Sequence, residues 1–247
     1  PSHQAGAAAI LAMKNCFDPT IGYSPLASVD IDKVRQVVAV AKRLTAGHYM
    51  PRPGDIALVA GAGSGYEAAS VEHEFRIRTV GVDLNLPATA RDLLSPNLAL
   101  QRQDLATLGF ADNTFSFAYC YHVVEHVPDP LRVLMQLRRV LKPGGVLFIG
   151  FPNRHRLFAY VGTAQKTSLT DKLCWNLNDY VLRATGRFEN RLGAHAGFAD
   201  RSFVADASKL FERVVPARGD YMRLKYPRYR VVLDFVIATG LDEVMFP

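Results

Sequence analysis

Residues 53–65 read PGDIALVAGAGSG, and how this stretch is read decides the fold. Pro53-Gly54 breaks the chain, Ile56 to Ala60 is a short apolar run of strand length, and Gly61 to Gly65 is a glycine turn. Tyr66 to Phe75 then has the composition of a helix. A strand that turns on glycines into a helix lets its backbone approach a ligand, because no Cβ stands in the way. The pattern is G-x-G-x-G, with Tyr66 where G-x-G-x-x-G needs its last glycine. That departure weakens a dinucleotide reading and leaves a nicotinamide oxidoreductase as an alternative.

Outward from the turn, the same alternation repeats. Ile77 to Val82 is a second strand that ends at Asp83, and residues 87–95 are weakly helical. Leu98 to Arg102 is a third strand ending near Asp104, and Phe115 to Tyr121 is a fourth. Asp129 suits a helix cap with Pro130 at the first helical position, and Leu134, Leu137 and Leu141 line one face. Lys142-Pro-Gly-Gly145 stops that helix, and Val146 to Phe151 is a fifth strand. Upstream, residues 28–46 carry Ile31, Val34, Val37, Val38, Ala41 and Leu44 at helical spacing.

The expectation is an α/β, Rossmann-like, doubly wound and mostly parallel sheet with helices on both faces. The chain divides into a helical lead (1–50), a core (51–153), an inserted helical lid (154–198) and a C-terminal part (199–247) that completes the sheet, all in one domain. The lid contains a helix with Leu169, Leu173, Leu177 and Val181 on one side, ending near Gly186. The last part has a helix around Ser202 to Phe211 and apolar stretches at Val214–Val215 and Val231 to Ile237. An insertion after a strand's C-terminal end is well placed to cover a ligand crevice.

Composition restricts the function classes. The 247 residues are 49% hydrophobic and 21% charged, enough for a sizeable core, with no run long enough to span a bilayer. The N-terminal PSHQAGAAAILAMKN lacks the basic start of a secretory signal. Cys16, Cys120 and Cys174 are odd in number and widely spaced, which predicts no disulfide framework and a reducing cytoplasm. Residues 1–150 carry 14 basic and 13 acidic side chains and residues 151–247 carry 15 and 10, so the +6 net charge lies mostly in the C-terminal part. Such a bias suits an anionic small molecule, a nucleic acid or a lipid surface without choosing among them.

The strand ends carry the chemistry. Asp83 follows Gly63 by twenty residues and can accept both hydrogen bonds of a ribose diol. Asp104 can accept from an adenine amino group. Each alone reads as an ordinary loop or cap carboxylate, but together with the glycine turn they mark three consecutive strand ends that a parallel sheet sets side by side.

With these pieces, residues 53–153 resemble the class I S-adenosylmethionine-dependent methyltransferases, especially the small-molecule type of ubiquinone and menaquinone biosynthesis. The stretches "PGDIALVAGAGSG", "VGVDL", "QRQDL", "FADNTFSFAYCYHVVEHVPDP" and "LRRVLKPGGVLFIGFPN" follow the family's order. The resemblance implies S-adenosyl-L-methionine as cofactor. It places Gly61, Ala62, Gly63 and Gly65 under the methionyl part, Asp83 with Leu84 at the ribose, Asp104 with Leu105 at the adenine, and Tyr121 near the cofactor. Two positions depart from the family pattern: Val59, where an acidic residue is usual, and Ser116, where aspartate is usual. They motivate a rival reading, a cofactor-binding pseudoenzyme that acts through partners.

His122-Val-Val-Glu-His126 also spells H-x-x-E-H, an inverted zinc-protease motif. Zinc requires both histidines on one face of a continuing helix. A preceding aromatic strand pattern and Pro128 and Pro130 argue against that, so no metal is expected. For an acceptor that must lose a proton, His195, in "GAHAGF", and His122 are the candidate bases. The stretch from Tyr221 to Arg230 interleaves four basic side chains with three tyrosines, fitting an anionic small acceptor or a lipid headgroup. No nucleic-acid-binding module is visible.

Overall fold

The computed structural model describes residues 31–155, 168–188 and 197–242. Five strands form one sheet: β1 (Ile56–Ala60), β2 (Arg78–Asp83), β3 (Leu98–Arg102), β4 (Phe115–Tyr121) and β5 (Leu141–Gly150). Their order is β3-β2-β1-β4-β5, and every neighbouring pair is parallel. The central strands IALVA and FSFAYCY are near-continuous apolar runs because helices cover both faces. From β1 the chain winds outward to β2 and β3, then returns to β4 and winds the other way. Loops leaving β1 and β4 therefore diverge, and a crevice opens at the C-terminal ends of those two strands.

Helix α1 (Ile31–Thr45) and α2 (Tyr66–Phe75) border one core, and α3 (Pro130–Val140) borders the other. On the first face Phe117 stacks between Tyr49 and Phe75, at centroid distances of 5.2 and 4.5 Å. On the second, α3 buries Val133, Leu134, Leu137 and Val140. Its start is as the sequence implies: Asp129 accepts from the Arg132 N–H at 3.0 Å, and Pro130 takes the first turn.

Several boundaries and one region differ from expectation. β5 begins at Leu141 and includes Lys142-Pro-Gly-Gly145, which the sequence presents as a stop before the strand. β5 is an edge strand, so Pro143 removes no hydrogen bond that an interior ladder would need. The C-terminal part adds no strand among the described residues. It forms α5 (Asp200–Ala207), α6 (Arg218–Lys225) and α7 (Arg230–Ala238) instead of completing the sheet. The apolar run Val231 to Ile237 is a helix that buries Leu233 and Val236, one turn apart, and leaves Val231 and Phe235 exposed. Short apolar runs satisfy helix and strand alike, and only the available packing surface separates them.

The insertion does contain the expected helix, α4 (Leu169–Ala184), but its orientation is reversed. Leu173, Leu177 and Val181 are exposed, while Asn176 and Asp179 are buried. The ends of the insertion meet: Asn153 pairs with Phe198 in a parallel bridge, and the Arg154 N–H donates to the Phe198 carbonyl at 2.9 Å. Asn153 and Phe198 therefore lie side by side just beyond the C-terminal end of β5. Cys174 on α4 is disulfide-bonded and Cys120 is a free buried thiol; one bridge is no disulfide framework, but it removes the ground that the cysteines gave for a reducing compartment. Among the described residues no helix is long and apolar enough to cross a membrane.

Phe117 anchors the aromatic stack beneath the sheet. Phe117→Ala is expected to lower stability by about 3–5 kcal/mol in chemical denaturation, whereas Met135→Ala on the exposed face of α3 changes it by less than about 0.5 kcal/mol.

Candidate active site

The crevice is built from strand ends held in register. Ala60 pairs with Val82 on one side and Cys120 on the other, and Asp83 pairs with Arg102, so the expected glycine turn and both aspartates lie along one rim. Two glycines in the turn answer different demands. Gly61 has φ +76°, and a Cβ there would stand 2.2 Å from the Val123 side chain, so the position admits no larger residue. Gly63 has φ +49°, and nothing lies within 4 Å of where its Cβ would be. The backbone there borders open space, as an approaching ligand requires.

Asp83 has a structural role that the sequence reading missed. Its Oδ2 accepts from the Gly63 N–H and its Oδ1 from the Asn85 N–H, each at 2.8 Å. The carboxylate expected at a ribose therefore also clamps the glycine turn to the end of β2, aided by the Gly61 and Ala62 N–H groups donating to the Val82 carbonyl. Leu84 is exposed beside it. Asp104 caps the 3₁₀ turn Leu105–Thr107 by accepting from the Ala106 N–H at 2.8 Å, while the Leu105 side chain is buried in the core. Of that pair, Asp104 is the one exposed at the rim.

Tyr121 ends β4 at the crevice, and its ring meets His122 edge-on at 4.3 Å. His122 turns the chain out of the strand at φ +55°, a strained conformation for a residue with a side chain. Its Nδ1 lies 3.0 Å from Oε1 of the buried Glu125. The continuous helix that zinc binding needs does not form, since Val124–His126 is a single 3₁₀ turn and His122 lies outside it. Among the described residues no group of three His, Cys, Asp or Glu is arranged to hold a metal ion. His195 lies outside the described residues.

The two departures from the family pattern do not face the crevice. Val59 is fully buried in the core. Ser116, at the opposite end of β4 from Tyr121, donates to Asp55 Oδ1 at 2.6 Å and accepts from Lys142 Nζ at 3.1 Å. Burial raises the Asp55 carboxyl, but hydrogen bonds from Ser116, the Arg52 N–H and Tyr49, with Lys142 nearby, outweigh it and hold it below the usual carboxylate range.

On the other side of Tyr121, α6 contributes groups that only the fold brings together. Tyr121 OH and Tyr221 OH are 2.7 Å apart, and Lys225 Nζ donates to Tyr221 OH at 2.9 Å. Burial, then the nearby Lys33, pulls the Lys225 ammonium down to about 8. Burial raises both phenols well above their ordinary range. The other cations of this stretch are engaged differently: Arg223 meets Asp234 at 2.6 Å and Asp220 at 3.2 Å, and Arg230 lies 3.9 Å from Asp234.

A glycine turn and two carboxylates lie at the switch point of a parallel sheet, the place where open α/β sheets bind their ligands. Residues 58–149 match the methyltransferase domain family. The chain is 32% identical over 172 residues to a phosphatidylethanolamine N-methyltransferase of Cereibacter sphaeroides, an alignment that covers 67% of this chain and 74% of that protein. It is 31% identical over 159 residues to an uncharacterized 37.1 kDa transposon protein of Streptomyces fradiae, covering 60% of this chain but only 44% of that protein. The structure of a phosphoethanolamine N-methyltransferase 2 from Haemonchus contortus, in complex with phosphomonomethylethanolamine and S-adenosylhomocysteine, superposes with a TM-score of 0.51 at 20% identity. That match covers 94% of this chain and 49% of the other, and it is a likeness of fold. The chain belongs to the class I S-adenosylmethionine-dependent methyltransferase family. This assignment sets the nicotinamide alternative aside.

The residues present fit an adenosyl cofactor: Gly63 faces open space, and the Asp83 carboxylate, already ordered by two backbone donors, stands beside it. Asp83→Asn removes the charge and disturbs both roles. It is expected to weaken S-adenosylhomocysteine binding by about 10- to 100-fold, measured by titration calorimetry.

Proposed function

We propose that this chain methylates a small acceptor bearing a phosphate-like anion, and that Lys225 anchors the anion. The observation that carries this reading is the hydrogen-bonded path Lys225–Tyr221–Tyr121, which leads from α6 to the rim of the crevice. Lys225 is half-buried and has no carboxylate partner among the described residues, in contrast to Arg223 and Arg230. A desolvated ammonium without a counter-charge favours an anionic ligand. The Cereibacter sphaeroides relative is named for phosphatidylethanolamine, whose headgroup carries a phosphate and an amine.

When bound, the cofactor supplies an electrophilic methyl group. The residues of the chain contribute mainly by position. The backbone of Gly61, Ala62, Gly63 and Gly65 with Asp83 and Leu84 would hold the nucleoside, and Asp104 with Leu105 would border its base. Tyr121 would separate the cofactor side from the acceptor side. His122, oriented at Nδ1 by Glu125, would offer Nε2 to a proton leaving the acceptor. The exposed Leu173, Leu177 and Val181 on α4 and Val231, Val232 and Phe235 on α7 support peripheral contact with a lipid surface if the headgroup is lipid-borne.

Labelled cofactor supplied with phosphoethanolamine, phosphatidylethanolamine vesicles or ethanolamine tests the reading and separates the free from the lipid-borne acceptor. Label is expected in a phosphate-bearing acceptor and not in ethanolamine; equal labelling of ethanolamine would refute the anion requirement. Lys225→Met should raise KM for that acceptor about tenfold or more, with kcat changed less than about threefold. Because the ammonium is the binding form, KM should also rise as pH increases through about 8, and this rise should vanish in Lys225→Met. His122→Ala should lower kcat by about 100-fold or more without altering S-adenosylhomocysteine affinity, as read from initial rates beside calorimetry.

A further inference from the structure

Glu67 stands in the first turn of α2, two residues after Gly65, and is half-buried. The groups that act on it electrostatically are the Asp83 carboxylate from β2 and Tyr119 and Tyr121 from the near face of β4, with Cys120 on the far face of that strand. Glu67 makes no hydrogen bond or ion pair among the described residues. Beside it, the hydroxyl of Tyr119 is fully buried and also has no partner. Buried polar groups are satisfied as a rule, so the orphaned Tyr119 hydroxyl, near a half-buried carboxyl with no protein partner, points to a group supplied from outside at this crevice.

The sign of that group follows from its surroundings. Once Glu67 gives up its proton its carboxylate only accepts hydrogen bonds, a phenol oxygen can accept as well, and the adjacent Asp83 is acidic. The complementary ligand group is a cationic donor. Its position lies on the cofactor side: Glu67 sits on the helix that the glycine turn opens, and its neighbour Asp83 holds the Gly63 N–H. The acceptor's anchor, Lys225, is at the far end of the phenol path beyond Tyr121. We propose that Glu67, with Tyr119 beside it, receives the ammonium of the cofactor's methionyl group, an inference that rests on the methyltransferase reading. In this chain Val59 presents no carboxylate from β1, and Glu67 provides one from the helix above the turn.

Binding of a cation there is linked to pH. Burial, then Asp83, pushes the free Glu67 carboxyl up to about 8, so near neutrality it is largely protonated. A bound ammonium favours the ionised form, so binding releases a proton and tightens as pH rises towards 8. The facing phenols and the Cys120 thiol are raised by burial and stay neutral over this range. Lys225 titrates in the same range and reaches Tyr121 through Tyr221, so Lys225→Met serves as the control.

Calorimetry with two probes tests the proposal: S-adenosylhomocysteine, and 5′-methylthioadenosine, which has the same nucleoside thioether but no amino-acid group. Glu67→Gln is expected to weaken S-adenosylhomocysteine about tenfold or more while leaving methylthioadenosine within about twofold. The pH dependence of S-adenosylhomocysteine binding between pH 6.5 and 8 should disappear in Glu67→Gln and persist in Lys225→Met. Glu67→Asp, which keeps the charge, should recover part of the affinity, and it replaces Glu67→Gln if that variant does not fold. Equal weakening of both probes would overturn the proposal, as would unchanged S-adenosylhomocysteine affinity with only the acceptor KM altered. Failure of the unmodified protein to bind either probe would refute the methyltransferase reading along with it, a result distinct from the other two.

Discussion

The site depends on one carboxylate that joins two strand ends. Asp83 closes β2 and receives the Gly63 N–H, so the glycine turn after β1 is fixed to its neighbour before any ligand arrives. A turn whose glycines have positive φ is costly to order unless something outside it supplies the constraint. The parallel sheet supplies it, because equal register carries each strand's end to the same rim. The same carboxylate can then serve a ribose because its geometry is already set. Preorganisation of this kind lowers the entropic cost of binding.

On the proposed reading, Tyr121 divides the crevice. On one side are the turn, Asp83 and the Glu67–Tyr119 pair; on the other are Tyr221 and Lys225, delivered by a helix that begins nearly a hundred residues after β4 ends. The two sides have opposite electrostatic sign, with acidic groups around the nucleoside end and a desolvated ammonium beyond the phenols. A methyl acceptor with an anion at one end would be oriented by that difference before any reacting atoms met. The fold places the boundary at the switch between β1 and β4, where the loops separate and a ligand can lie across both.

Much of the core was legible. The apolar runs of β1 and β4 and the Asp129-Pro130 cap of α3 are in place as read, and Gly63 and Asp83 do meet at neighbouring strand ends, although the hydrogen bond between them was not legible. The C-terminal part was not legible in the same way. Val231 to Ile237 satisfies a strand or a helix, and burial of Leu233 and Val236 decides for the helix. The apolar stripe of α4 misled in the opposite direction: its period is helical, but its apolar face is exposed and its polar face is buried. Glu67 carried one signal, an acid two residues after the last turn glycine. Tyr119 carried none, since a tyrosine within an apolar strand reads as core.

By itself, the sequence determined the local conformations: where strands begin, which glycines turn, which aspartates follow strand ends, and hence the fold and the glycine-turn side of the crevice. Those features arise between residues close in the chain, where patterning and backbone sterics suffice. Only the tertiary structure decided which distant groups meet. Tyr121 and Tyr221 are a hundred residues apart and share one hydrogen bond, and Lys225 loses water only because α6 packs where it does. Side-chain partnership and desolvation are properties of packing, so the Tyr121–Tyr221–Lys225 group exists only in the folded chain.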